Sequence, residues 1–409
     1  MSTPATHKWA FAARFRRNAF GWRSQPALVR VKEAVAEIKK VARKDPVLAA
    51  EGAVLFLEKV SPALAHVDSS SGAIGTTVNN AIDLLAPIIA GAPADGPTRD
   101  RWLERLWEAV EADDIPYIEV LPDYWGELCA APERASRWAD SLIDTVRIAW
   151  DTSSEHYGYF KGTSACLSAL LKAGRYEEIL SLLEGAPHKF WHDRKWGVKA
   201  LSAMGRKAEA IRYAEDSRGI NDPQGAIAQA CEEILLSSGM VDEAYSRYAI
   251  DANRGTTNLA TFRAIVKKYP QKTAVEILHD LVESTPGEEG KWFASAKSAG
   301  LYDEAIALAN KTPCDPRTLT RAAKEAATGH PAFSVEAGMA TLRWLCEGHG
   351  YEITSVDVLD ACRYTMEAAA HAGSVRETRD RIRKLAQAGN PFIAEVLSRE
   401  LDRNGGQIE

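Results

Sequence analysis

The chain has 409 residues, 46 % of them apolar, with a formal net charge of −6. That length allows two or three domains or one extended repeat array, with apolar surface for a large core. Leu and Ala are abundant while Gly and Pro stand at punctuation points, the composition of a helical protein. Six scattered cysteines without a CxxC pair read as small buried hydrophobes rather than a disulfide framework, which points to a reducing, cytoplasmic setting.

Charge is unevenly placed. Residues 1–45 carry eleven Lys and Arg against Glu33, Glu37 and Asp45, a balance of +8 that leaves −14 for the other 364 residues. Such polarity suggests an N-terminal segment that meets an anionic surface: nucleic acid, lipid headgroups or the protein's own acidic body. No apolar run of a signal peptide follows the basic residues. Residues 1–32 also have the acid-poor, Arg-rich profile of an organelle transit peptide. Trp9, Phe11, Phe15, Phe20 and Trp22 are more aromatics than such a peptide needs, and are expected to be core anchors. Within "ARFRRNAFGWR", Arg14, Arg16, Arg17 and Arg23 offer guanidinium groups suited to phosphate or carboxylate, joined by Lys39 and Lys40 on the next helix.

From 28 to 42, Leu28, Val31, Val35, Ile38 and Ala42 step by three and four and predict a helix, which Asp45-Pro46 ends. Residues 47–66 predict a second apolar helix interrupted near Ser61-Pro62. "DSSSGAIG" is a turn, and a third helix follows. Its "AIDLLAPIIAGA", residues 81–92, is the most apolar stretch, but it is short and cut by Pro87, so no membrane span is expected. "GAPADGPT" is a loop whose Thr98 is expected to cap a helix with Leu103, Leu106, Trp107 and Val110 on one face. A Pro-punctuated stretch with Asp113, Asp114, Glu119, Asp123 and Glu127 reads as a solvated loop, and helix resumes at "RASRWADSLIDTVRIAW". The expected domains are a basic segment with the first helix (1–45), an N-terminal helical domain (46–154) and a repeat region (155–409).

In that last region "GRYEEI", "GRKAEA", "GMVDEA" and "GLYDEA" begin at Gly174, Gly205, Gly239 and Gly300, with Tyr269 filling the gap in the series. Successive spacings are 31, 34, 30 and 31, and Ile179, Ala210, Ala244, Ala274 and Ala305 stand five positions on. A period of 30–34 with two helices per unit is the mark of stacked helical repeats. Each glycine closes a first helix in the left-handed conformation, and the acid after it complements the dipole of the second helix. The small fifth residue then allows close helix approach.

"AGRYEEILSLL", "MGRKAEAIRYA", "SGMVDEAYSRY" and "AGLYDEAIALA" resemble the loop and second helix of tetratricopeptide-like repeats over about residues 160–311, with one degraded copy, "AGSVRETRDRI", at 372–382. The family's Trp and Tyr of the first helix are not regularly placed, and one unit has Tyr269-Pro270 for glycine. The resemblance implies an all-α, TPR-like α-solenoid of antiparallel helical hairpins after an N-terminal helical domain. It carries no ligand-binding residue across.

The chemical motifs fail on spacing. "PGEEGKW" has two residues between its glycines and Trp292 after the lysine, unlike a phosphate-binding P-loop. His188 and His192 sit at i and i+4, with Pro187 expected to open their helix, but no HExxH glutamate and no third ligand accompanies them. No metal or other cofactor is expected. Ser168 and Lys172 stand one turn apart without a nucleophile elbow. In "APHKFWHDRKWG", His192, Arg194, Lys195 and Lys199 interleave with aromatics, a groove patch suited to phosphate and bases or, alternatively, a solvated face over core aromatics. The expected function is a non-enzymatic scaffold that binds a partner protein or peptide in a repeat groove. The alternative is a nucleic-acid-associated factor using the basic N-terminus.

Overall fold

A computed structural model describes residues 7–219 and 225–403. Helices dominate, and no strand forms among the described residues. The chain divides into two compact units, 1–223 and 224–409. The first hairpins of the repeat region fall in the first of these units, the helix after 162 packing on the two that precede it.

In the first unit, α1 (Ser24–Ala42), α2 (Pro46–Leu64) and α3 (Ala73–Gly91) pack mutually, and α4 (Gly96–Glu111) lies on α2. Pro62 does not interrupt α2: it falls in the last turn, where only the bond to the Glu58 carbonyl is lost. Pro87 is likewise carried inside α3. At 19 residues α3 is one unbroken helix, so Pro87 does not cut it as expected; it is the one described helix long and apolar enough to cross a membrane by length and composition alone. Its Ile74, Val78, Ile82, Leu85 and Ile89 belong to the core of the unit, and Asn80 and Asp83 lie on the exposed side. The cap of α4 is Asp95, not Thr98: its carboxylate accepts the Thr98 N–H at 2.8 Å, and Gly96-Pro97 start the helix because proline needs no N–H there.

Buried Arg99 reaches back from α4 to the end of α3 and donates to the carbonyls of Ile89 and Ala92, satisfying acceptors that helix ends leave open. Arg105 forks onto Glu58 at 2.6 and 2.7 Å and also binds Glu51, tying α4 to α2. A 3-10 turn (Leu121–Tyr124), α5 (Trp125–Cys129) and α6 (Pro132–Trp150) follow. Trp107, Trp125 and Trp138 meet edge to face or tilted at 5.0–5.8 Å. Two hairpins close the unit: α7 (Thr163–Lys172) with α8 (Tyr176–Glu184), and α9 (Trp191–Ala203) with α10 (Lys207–Glu215).

The second unit holds α11 (Ala226–Leu236), α12 (Val241–Ala252), α13 (Asn258–Lys268), α14 (Ala274–Glu283), α15 (Phe293–Ser298), α16 (Tyr302–Lys311), α17 (Pro316–Ala326), α18 (Pro331–Cys346), α19 (Ser355–Ala372), α20 (Val375–Ala388) and α21 (Pro391–Arg403). Within each unit the first helices of successive hairpins touch, α7 with α9 and α13 with α15.

The repeated six letters are one backbone device. Gly174, Gly205, Gly239 and Gly300 all have φ between 74° and 78°. At each, the glycine N–H bonds a carbonyl three residues back and the next N–H bonds one five back, as in Gly174→Leu171 and Arg175→Leu170 at 3.1 and 3.0 Å. This pair of bonds terminates the first helix and aims the second. Ile179, Ala210, Ala244 and Ala305 are fully buried. The unit at 269 differs. Tyr269 ends α13 with φ −119°, and Thr273 caps α14 in a reciprocal box with Glu276, so the second helix starts three residues later. Its buried fourth residue is Ile277, and Ala274 is only half-buried.

Candidate functional site

The basic N-terminus is docked, as its aromatics suggest. Trp9, Phe11 and Phe15 are buried, the Trp9 ring lying where a side chain on Gly52 of α2 would be. Glu37 of α1 accepts the N–H groups of Ala10 and Phe11 at 2.8 and 3.2 Å, which holds the segment. Arg14 pairs with Glu33 at 2.9 Å. Arg16, Arg17, Arg23, Lys39 and Lys40 are exposed, Phe20 is partly buried, and Trp22 beside Arg23 is 72 % exposed, so the expected core anchor fails at Trp22.

The 188–199 patch is built differently from a free basic surface. Pro187 and His188 precede α9, which starts at Trp191, so the two histidines do not share a helix face. Arg194 is buried, donating to Ser217 Oγ at 2.7 Å with its guanidinium 3.6 Å from the Tyr213 ring centre. Lys195 Nζ binds Asp123 Oδ2 at 2.6 Å, and Lys199 lies 4.4 Å from the Trp196 ring centre. Arg194 and Lys195 are thereby committed to internal partners. His192 Nε2 meets Ser164 Oγ at 2.9 Å. A serine–histidine pair is half of a nucleophilic site, but among the described residues no carboxylate hydrogen-bonds the other ring nitrogen. Nor do the described residues contain a group of three or more His, Cys, Asp or Glu placed to hold a metal ion.

His192 faces a cleft of about 590 Å³ that the sequence patterns did not reveal. Its aromatic wall is Trp150, Tyr157, Tyr159, Phe160 and Phe190, from the end of α6, the loop before α7 and the loop before α9. Tyr157, Tyr159 and Phe190 are 44 %, 84 % and 47 % exposed, rings that the core does not use. Glu119, Asp123 and Asp193 bring carboxylates to the same space. Lys161 also lines it, but its ammonium donates to the carbonyls of Val110, Glu111 and Asp113 at 2.7–3.4 Å, capping the end of α4.

The acids of 113–127 divide: Asp114, Glu119 and Glu127 are exposed, as a solvated loop requires, while Asp113 is buried and Asp123 half-buried. Asp113 is buried under the Ser61 hydroxyl and the Ile118 N–H, and burial lifts its carboxyl above the ordinary range. Asp123 gives one oxygen to Lys195 while the other is buried with no partner. Asp193 has no side-chain partner among the described residues; burial raises its pKa, the nearby His192 and Lys195 oppose the rise, and Asp123 adds to it. The Tyr159 phenol is raised too, by desolvation and then by Glu119, Asp113 and Asp193. With that residue 84 % exposed, the field of the three carboxylates is the informative part.

Two further motifs are structural. Ser168 Oγ donates to the Asp123 carbonyl and accepts the Gly126 N–H, both at 2.9 Å, joining α5 to α7. In "PGEEGKW", Gly290 packs on the backbone at Thr312, and Glu289 pairs with Lys311 at 3.0 Å. Compared with known proteins, the chain matches no family model and no curated sequence. Fold and cleft define a class: an all-α protein, built partly of successive helical hairpins, with an aromatic and acidic cleft in its first unit.

Proposed function

We propose that this chain is a TPR-like helical-repeat scaffold, non-enzymatic, that binds a partner protein or peptide. The supporting observation is the cleft beside the hairpin α7–α8, where three aromatic rings stand exposed around a cavity instead of filling the core. Aromatic side chains held rigidly at an open concavity supply contact area at small entropic cost, the usual anchors of recognition. Helical-hairpin arrays mostly use such surfaces for peptides, helices or subunits. A second reading, binding of nucleic acid, is favoured by one observation, the exposed Arg16, Arg17, Arg23, Lys39 and Lys40.

The test is a pull-down of the tagged chain from its native cells, divided into nuclease-treated and untreated halves. A defined protein partner that survives nuclease is the expected result. Loss of every companion with nuclease, and retention of nucleic acid without it, would replace the scaffold by the second reading. Binding by the arginines would then weaken steeply with salt, because each phosphate contact releases a counterion.

A further inference from the structure

Resting on that reading, we infer that the cleft receives a lysine or arginine side chain of an extended basic peptide. Ring faces carry the negative part of an aromatic quadrupole and attract a cation within about 6 Å of the centroid. Here Trp150, Tyr157, Tyr159 and Phe190 stand around a space that also holds Glu119, Asp123 and Asp193. The cations of the same lining are spent: Lys161 on three helix-end carbonyls, and Lys195, just outside it, on Asp123. What remains unmatched is negative, the Asp193 carboxylate and the exposed Glu119; Asp123 is already paired with Lys195, and its second oxygen is buried away from the open space. A half-buried carboxylate without a donor costs stability that an incoming ammonium or guanidinium would return.

Two neighbouring cavities favour an extended chain over a compact molecule. One of about 310 Å³ shares Trp150 with the cleft and adds Asp151. Another of about 210 Å³ shares Glu119, Tyr159 and Lys161 and adds Asp114. The second of these extends the acidic lining, since Asp114 has no ion-pair partner among the described residues; in the first, Asp151 accepts from Ser153 and stands with Arg147, so the side with Asp114 is the one that repels a phosphate backbone and attracts a basic peptide.

Fluorescein-labelled nonapeptides of alternating serine with arginine, glutamine or glutamate, titrated into the full chain and read by anisotropy, test this. The arginine peptide should bind, the glutamate peptide should not, and Asp193→Asn should weaken binding about tenfold, the usual scale for a charge-assisted bond. Phe190→Ala should weaken it by several-fold, and Asp303→Asn, an exposed acid of the second unit, should leave it unchanged. Asp193→Asn relieves the desolvation of a half-buried charge but gives up its place in the first turn of α9, so a melting temperature within a few degrees of the parent's is expected and shows that lost binding is not lost folding. Equal binding of all three peptides, or an Asp193→Asn variant that binds like the parent, overturns the inference. So does acetyl-arginine amide binding as tightly as the nonapeptide, which would make the occupant a small molecule, or polyuridylate displacing the peptide from the cleft. A native partner captured equally by parent and Asp193→Asn sinks the cationic occupant and leaves the scaffold standing. Failure of every peptide together with no partner in the pull-down sinks both.

Discussion

Asp357 carries an unusual share of local order for one side chain. Its carboxylate accepts the Thr354 N–H at 2.9 Å and the Thr354 hydroxyl at 2.8 Å, closing a capping box at the start of α19. Arg317 of α17 forks onto the same group at 3.0 and 3.3 Å. The Arg317 side chain first, and the Thr354 N–H after it, hold the Asp357 pKa well below the ordinary carboxylate value. Because the folded value lies below the unfolded one, the stabilisation is present at neutral pH and fades as pH falls through the folded value. Asp357→Ala is expected to cost about 1–2 kcal/mol at pH 7. The gap in urea midpoint between variant and parent should narrow below about pH 4, where the unfolded carboxyl is already protonated. Asp113 has the opposite sign: with its folded pKa raised by burial, its contribution becomes more favourable as pH falls.

Among the elements, α5 and α7 show how closeness is written in residues that sequence patterns overlook. An added Cβ at Gly126 would lie 2.4 Å from the Ser168 carbonyl oxygen, a backbone atom that cannot swing aside. Gly126→Ala should therefore push α5 off α7 and cost about 1–3 kcal/mol by urea denaturation. Gly75→Ala, inside α3 with no atom in reach of the new methyl, should be neutral or stabilise by up to about 1 kcal/mol. The same logic explains the unit at 269. Tyr269 is fully buried, its hydroxyl bound to buried Glu232 at 2.5 Å, with Lys268 on the other oxygen. A tyrosine Cβ is strained in the left-handed corner that glycine takes, and Pro270 favours extended backbone at Tyr269, so the chain uses a three-residue longer connection with its own cap.

At the scale of the molecule, one core runs from Trp9 to Ala200 in the first unit, and another from Val335 to Leu401 at the C-terminal end of the second. Fragments 1–219 and 225–409 expressed separately should each show a helical circular-dichroism spectrum and a cooperative melt. A fragment that melts without cooperativity would show that its fold needs the rest of the chain. All six cysteines are buried, and burial pushes the thiols of Cys129, Cys166, Cys314 and Cys362 up to about 12. They should stay silent to a thiol reagent at pH 8 and react only on denaturation.

The hairpins were legible in the sequence because their cause is local. A glycine at a left-handed corner, an acid in the next turn and a small or apolar fourth residue act within ten residues, so the letters recur wherever the turn does. The docking of residues 9–15 was legible for a related reason, since three large aromatics in an acid-poor segment need a core. The cleft was not. Asp123 and Lys195 are 72 positions apart, and Tyr159 meets the field of Glu119, Asp113 and Asp193 through packing alone. Letters that read as a basic patch, Arg194 and Lys195, are taken inward by Ser217, Tyr213 and Asp123, while letters that read as a solvated acidic loop supply two of the cleft's carboxylates, Glu119 and Asp123. Local turn chemistry determined where the helices break; only tertiary packing decided which charges were neutralised and which were left facing an open space, because pairing depends on distances that the chain sets only once it is folded.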